Sequence, residues 1–177
     1  MKYYFIIILC LIVGLFILLG RVKNIPFSKP IFLKVDDIVN EHTTSIKSYT
    51  HSYYKPSNEQ LNVLEKDYSG IWAHLNNLYS TNDIEAGKEY YTEDWFKQMN
   101  YEHTKPITTN VFRKDVEHNL HIVNWSFDGL VCNIIDSNVV LKYYDKNNCI
   151  DSSKCNIAMA LLIQGDHWRI DGIKHLK

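Results

Sequence analysis

The chain has 177 residues, 19 Lys and Arg against 20 Asp and Glu, and a net charge of −1. Acids and bases are interspersed, which leaves no electrostatic footprint for nucleic acid. Its four cysteines contain no C-x-x-C pair, which argues against a zinc ribbon or a thioredoxin-type redox site.

In chain order, the first signal is Tyr3 to Gly20, an uncharged apolar run between Lys2 and Arg21. As a helix it would span roughly 27 Å, the hydrocarbon thickness of a bilayer. Residues 1–23 therefore read as a transmembrane signal anchor, with a cleaved signal peptide as the other possibility. The cations Arg21, Lys23, Lys29 and Lys34 favour a cytoplasmic soluble part. The very short N-terminus and the cysteine usage favour an extracytoplasmic one, which is the expectation adopted. Residues 24–56 read as a tether with Pro26 and Pro30, then a membrane-proximal helix over about Asp36–Tyr53 ended by Pro56.

Residues 57–177 carry the main domain. Ser57 and Gln60 have capping-box spacing. Leu61, Leu64, Tyr68, Ile71, Trp72, Leu75, Leu78 and Tyr79 then recur at three- and four-residue intervals, one broad apolar face of a long helix. Asn82 or Asp83, and then Thr92, can cap two shorter helices. From about Thr108 the period becomes two. Strands are predicted over Thr109–Val116, Leu120–Phe127, Leu130–Ile135, Val139–Tyr144, Asn156–Gln164 and His167–His175, with hairpin turns at Asp128-Gly129 and Gly165-Asp166. Helices first and antiparallel strands after make an α+β fold, with the helices packed on one side of a curved antiparallel sheet.

At this point the chain resembles a known family. A long helix ending in LNNLYSTND, short helices through EAGKEYYTEDWF, and strands closing with ALLIQGDHWRIDGIKHL look like the nuclear-transport-factor-2-like, or SnoaL-like, cone fold. The resemblance covers about residues 57–177. It implies a sheet wrapped around a helix, with a conical cavity that Tyr68, Trp72, Trp125, Tyr143 and Trp168 would line. Members of that family include isomerases, dehydratases, hydrolases, ligand binders and domains without chemistry.

Candidate chemistry is sparse. Cys149 and Cys155 flank a polar loop, NNCIDSSKCN, whose base a disulfide could close in an oxidising compartment; otherwise they are two thiols. Asp115, His118 and His121 would share a helix face as metal ligands or an acid–base pair, but on a strand His118 and His121 point apart. Asp115 and His121 stay as catalytic candidates, with no metal and no cofactor expected. Asp171 is placed to pair with Arg169 or Lys174. Phosphate-binding loops, dinucleotide fingerprints, zincin motifs and nucleophile elbows are all missing from the sequence. The reading is a membrane-anchored, non-catalytic interaction or assembly domain with a protein partner or self-association. The alternative is a small-molecule binder or an enzyme using the cone cavity.

Overall fold

Ser57 starts the long helix as its residue pattern predicts. Its side chain accepts from the Gln60 backbone N–H at 3.2 Å while the Gln60 side chain accepts from the Ser57 N–H at 2.8 Å. The helix, α1, runs Asn58–Thr81 and ends at Asn82, whose left-handed backbone (φ 57°) returns an N–H to Leu78. Its inward face buries Leu64, Tyr68, Ile71, Trp72 and Leu78, each burial contributing roughly 1.5–3 kcal/mol relative to exposure. A 3-10 helix, Glu85–Tyr90, and α2, Glu93–Glu102, follow. Thr92 caps α2 through Trp95 and also donates to Asp171 Oδ1 at 2.9 Å. Asp171 thus tethers a helix cap to the sheet, in place of the expected pairing with Arg169 or Lys174.

The computed structural model describes residues 38–39, 42–103, 105, 107 and 109–177. Five strands form one sheet in the order β1 to β5: β1 Ser45–Thr50, β2 Val111–Trp125, β3 Val131–Asp145, β4 Asn148–Gln164 and β5 His167–Leu176. Strands β2 to β5 are an antiparallel meander, and β1 lies parallel to β2 with Tyr49 opposite His121. Inward residues of the sheet, among them Leu120, Ile122, Ile134, Met159, Leu161, Trp168 and Ile170, share one core with α1.

The fold class therefore needs correction. The sheet is mixed, not antiparallel. The membrane-proximal helix is replaced over 45–50 by β1, where Ile46, Ser48 and Thr50 turn inward and Tyr49 stays 44% exposed. An alternating SIKSYT segment satisfies its backbone on the edge of β2, which lies far away in sequence. The polar stretches Asp136–Asn138 and NNCIDSSKCN do not break the chain into separate strands, because β3 and β4 run straight through them. Cys149 and Cys155 consequently lie six positions apart on β4 as free thiols. That spacing is about 20 Å of strand against a Cα separation limit of about 7 Å, so no disulfide joins them. The expectations of a transmembrane helix, a signal anchor and a single-pass membrane protein find no support in the structure. Among the described residues no helix is long and apolar enough to cross a membrane, and Tyr3 to Gly20 lies outside them.

Candidate functional site

Residues three apart on a regular strand face opposite sides of a sheet. Asp115 and His118 break that rule because the β2–β3 register slips twice, between Asp115 and Glu117 and again between Glu117 and Asn119. Bulges of this kind re-aim side chains, and both residues turn inward, 2% and 0% exposed. A third irregularity, in the β3–β4 pairing between Asp136 and Val139, accompanies the fully buried Asp136.

These three groups form the centre of a buried polar network. His118 Nε2 is 2.8 Å from Asp115 Oδ2, and its Nδ1 is 2.6 Å from Asp136 Oδ2. With a carboxylate at each ring nitrogen, both nitrogens must donate and the ring is an imidazolium. Burial opposes that charge, but the two carboxylates outweigh it and raise the His118 pKa. Asp115 also pays for burial, yet His118 and His42 together hold its carboxyl well below the ordinary carboxylate range. Tyr68 of α1 donates to Asp136 Oδ2 at 2.7 Å, and the Asn119 N–H donates to Asp136 Oδ1 at 3.0 Å. Burial and the adjacent Asp136 push the Tyr68 phenol far up. His42 Nε2 lies 2.7 Å from Asp115 Oδ1, and the Asn76 amide donates to the same oxygen. His42 Nδ1 contacts Ser69 Oγ at 3.0 Å. Trp72 and Tyr68 close over the His118 ring, with centroids at 4.9 and 5.5 Å. With both nitrogens committed and no exposure, His118 has no free position to take a proton from a substrate. Its role is to bind the bulged strands to α1.

Asn76 carries the network outward. Its Oδ1 accepts from Arg113 Nε at 2.9 Å, and Arg113 Nη2 donates to the Leu75 carbonyl at 2.8 Å. The guanidinium lies over the rings of Tyr79 and Trp72, at 5.0 and 5.7 Å from their centroids. Burial lowers its pKa even though Tyr143 and Asp115 favour the charge. No carboxylate lies within ion-pair distance of it among the described residues. Arg113 lines a cavity of about 420 Å³ whose walls are mostly apolar: Trp72, Leu75, Leu78, Leu141, Ile157 and Ile173, with Tyr79. Asn82, His103 and His175 supply its other polar groups. On its other side Arg113 borders a polar cavity of about 330 Å³ that reaches His42, Asn76 and Asp115.

Two more buried polar groups lie on α1 itself. Asp67 accepts from the Trp168 N–H at 2.9 Å and lies 3.2 Å from His167 Nδ1, which holds the β4–β5 turn against the helix. His74, 1% exposed, has neither ring nitrogen hydrogen-bonded among the described residues. Burial, with a smaller contribution from nearby His42, lowers its pKa to about 4.

Compared with known proteins, the chain matches no family model and no curated protein sequence. Among solved structures it is similar to the intermembrane space region of the chloroplast protein ARC6. The TM-score is 0.51 at 12% identity, over 70% of this chain and 98% of that one. At that identity the likeness is one of fold alone.

The sequence candidates scatter over this architecture. Asp115 is in the network, but His121 stands on the opposite sheet face. There it is 3.1 Å from Ser137 Oγ and 3.0 Å from His51 Nε2, with Tyr49 stacked on it at 5.1 Å. The two are not a pair. Among the described residues no group of three or more His, Cys, Asp or Glu is placed to hold a metal ion. Of the expected lining aromatics, Trp72 borders the cavity beside Arg113, while Tyr68 is sealed at the network. Tyr143 packs edge-on against Tyr79 at 5.7 Å. Trp125 and Trp168 touch at 5.1 Å and border a separate cavity of about 270 Å³ near Gly129. Asp136, Asn76, Arg113 and His74 were missed. The available signal was Asp136-Ser137-Asn138, a polar triplet between two apolar strand halves, which reads as a bulge as well as a loop.

Proposed function

We propose that this domain is a non-catalytic binding module that holds a small, mainly apolar ligand in the cavity under α1. The observation that carries the reading is the cavity itself. At about 420 Å³, with apolar walls and a few convergent polar groups, it has the size and character of small-ligand sites. The sealed state of His118 supports binding over acid–base chemistry, since the best-placed ionisable group in the fold is saturated by its own neighbours. Titration with the neutral, environment-sensitive dye N-phenyl-1-naphthylamine tests this. Saturable binding to the native domain, lost when Leu75→Trp fills the cavity, is expected. Unchanged binding in the filled variant would refute the reading.

A second reading, protein interaction or self-association, is favoured by one feature. Tyr53 and Phe127, 91% and 83% exposed, pack edge-on to either side of Tyr54 at 5.0 and 5.3 Å. Clustered exposed apolar surface of this kind marks contact sites. Sedimentation of the native domain beside a Tyr53→Ser/Phe127→Ser double variant tests it, and identical monomeric behaviour counts against self-association.

A further inference from the structure

A buried guanidinium costs free energy unless an anion meets it. Arg113 is half-buried among Trp72, Tyr79, Leu75 and Asn76, and both acceptors it contacts are neutral. Asp115, the carboxylate nearest along the network, already serves three donors: His118 on one oxygen, His42 and Asn76 on the other. Arginine has five N–H donors in a planar fork. Only Nε and Nη2 are engaged, so the Nη1 amino group has no hydrogen-bond partner among the described residues.

We propose that Arg113 makes the apolar cavity an anion-selective site, taking an amphipathic monocarboxylate with its head group on the guanidinium and its tail between Leu78, Leu141, Ile157 and Ile173. This rests on the cavity reading above and adds a ligand class to it. The planar fork suits a carboxylate held by two parallel hydrogen bonds. Charge sets the limit at one. Arg113 offers one positive charge with no carboxylate at ion-pair distance among the described residues, so a dianionic head such as a phosphate would leave more uncompensated charge than a carboxylate. The tail is short, because about 420 Å³ lies near the lower end of the range for ligand cavities. His103 and His175 also border the cavity and are the competing positions for a head group.

Octanoate and octanol have the same chain length and differ in the head group. Displacement of N-phenyl-1-naphthylamine by each is measured on the native domain, on Arg113→Gln and on Arg113→Lys. A charge-assisted hydrogen-bonded head group predicts octanoate binding roughly 10- to 100-fold tighter than octanol to the native domain. In Arg113→Gln that preference falls to near unity while octanol affinity stays, which also shows that the variant has kept its cavity. Arg113→Lys retains part of the preference, and it decides the matter if Arg113→Gln fails to fold. Equal displacement by both compounds on the native domain overturns the anion site and leaves the cavity reading standing. A preference that survives in Arg113→Gln places the head group at the rim histidines and overturns the assignment to Arg113. If neither compound displaces the dye, the anion site falls, and the cavity reading stands or falls with the Leu75→Trp titration.

Discussion

His74 makes the acid stability of this domain a quantitative test. The folded state holds the ring neutral with a pKa of about 4, against an ordinary histidine value of about 6.5. A group whose folded pKa is lowered contributes stability that is intact above its unfolded pKa and is lost as pH falls toward the folded one. The window is therefore pH 6.5 down to about 4. Between pH 7.5 and pH 5 the linkage amounts to about 2 kcal/mol, approaching about 3 kcal/mol below pH 4. His118 and Asp115 titrate as well, so the informative quantity is the difference between the native domain and His74→Leu. The leucine keeps most of the packing against Tyr90, now 4.9 Å from the imidazole, and removes two unpartnered nitrogens. Urea unfolding followed by tryptophan fluorescence at both pH values gives the two free energies. The native domain is expected to lose about 2 kcal/mol more than the variant over this interval. Parallel pH profiles would refute the reasoning, since they would mean that the folded state protonates His74 without penalty.

Other outcomes follow from the same structure. Asp136→Ala removes one of the two carboxylates on the buried His118 and the acceptor of Tyr68, and should cost about 3–5 kcal/mol in urea unfolding. Gly70→Ala puts a Cβ 2.6 Å from the Tyr90 hydroxyl, so the buried Tyr90 ring must shift, and a loss of about 1–3 kcal/mol is expected in thermal unfolding. Cys149, exposed on β4, should react with a maleimide in the folded domain without prior reduction. Cys132, whose thiol burial pushes up to about 12, should react only on unfolding, and mass spectrometry of labelled peptides separates the two.

The main helix and the turns were legible because their causes are local. A capping box, an apolar face of period 3.6, Asp128-Gly129 and Gly165 each act within a few residues, and the chain adopts them: Gly129 and Gly165 have φ of 72° and 73°. The parallel β1 was not legible, because what makes SIKSYT a strand is a free edge 72 residues away. Its apolar stripe matched a helix equally well. Nor was the length of β3 and β4, since polar residues at 136–138 and 147–156 look like loops until a neighbouring strand takes up their backbone groups.

The buried network shows the division most clearly. Sequence supplied Asp115, His118, Asp136, Tyr68 and Asn76, but strict two-residue alternation puts Asp115 and His118 on opposite faces. Register slips against β3 reverse that alternation, and register is a property of two strands, not one. Local chemistry thus determined α1, the hairpin turns and the apolar stretches of β2 to β5. Only tertiary packing decided which acids, histidines and arginine would meet, because their partners lie up to 73 residues apart and are brought together by strand pairing and helix docking.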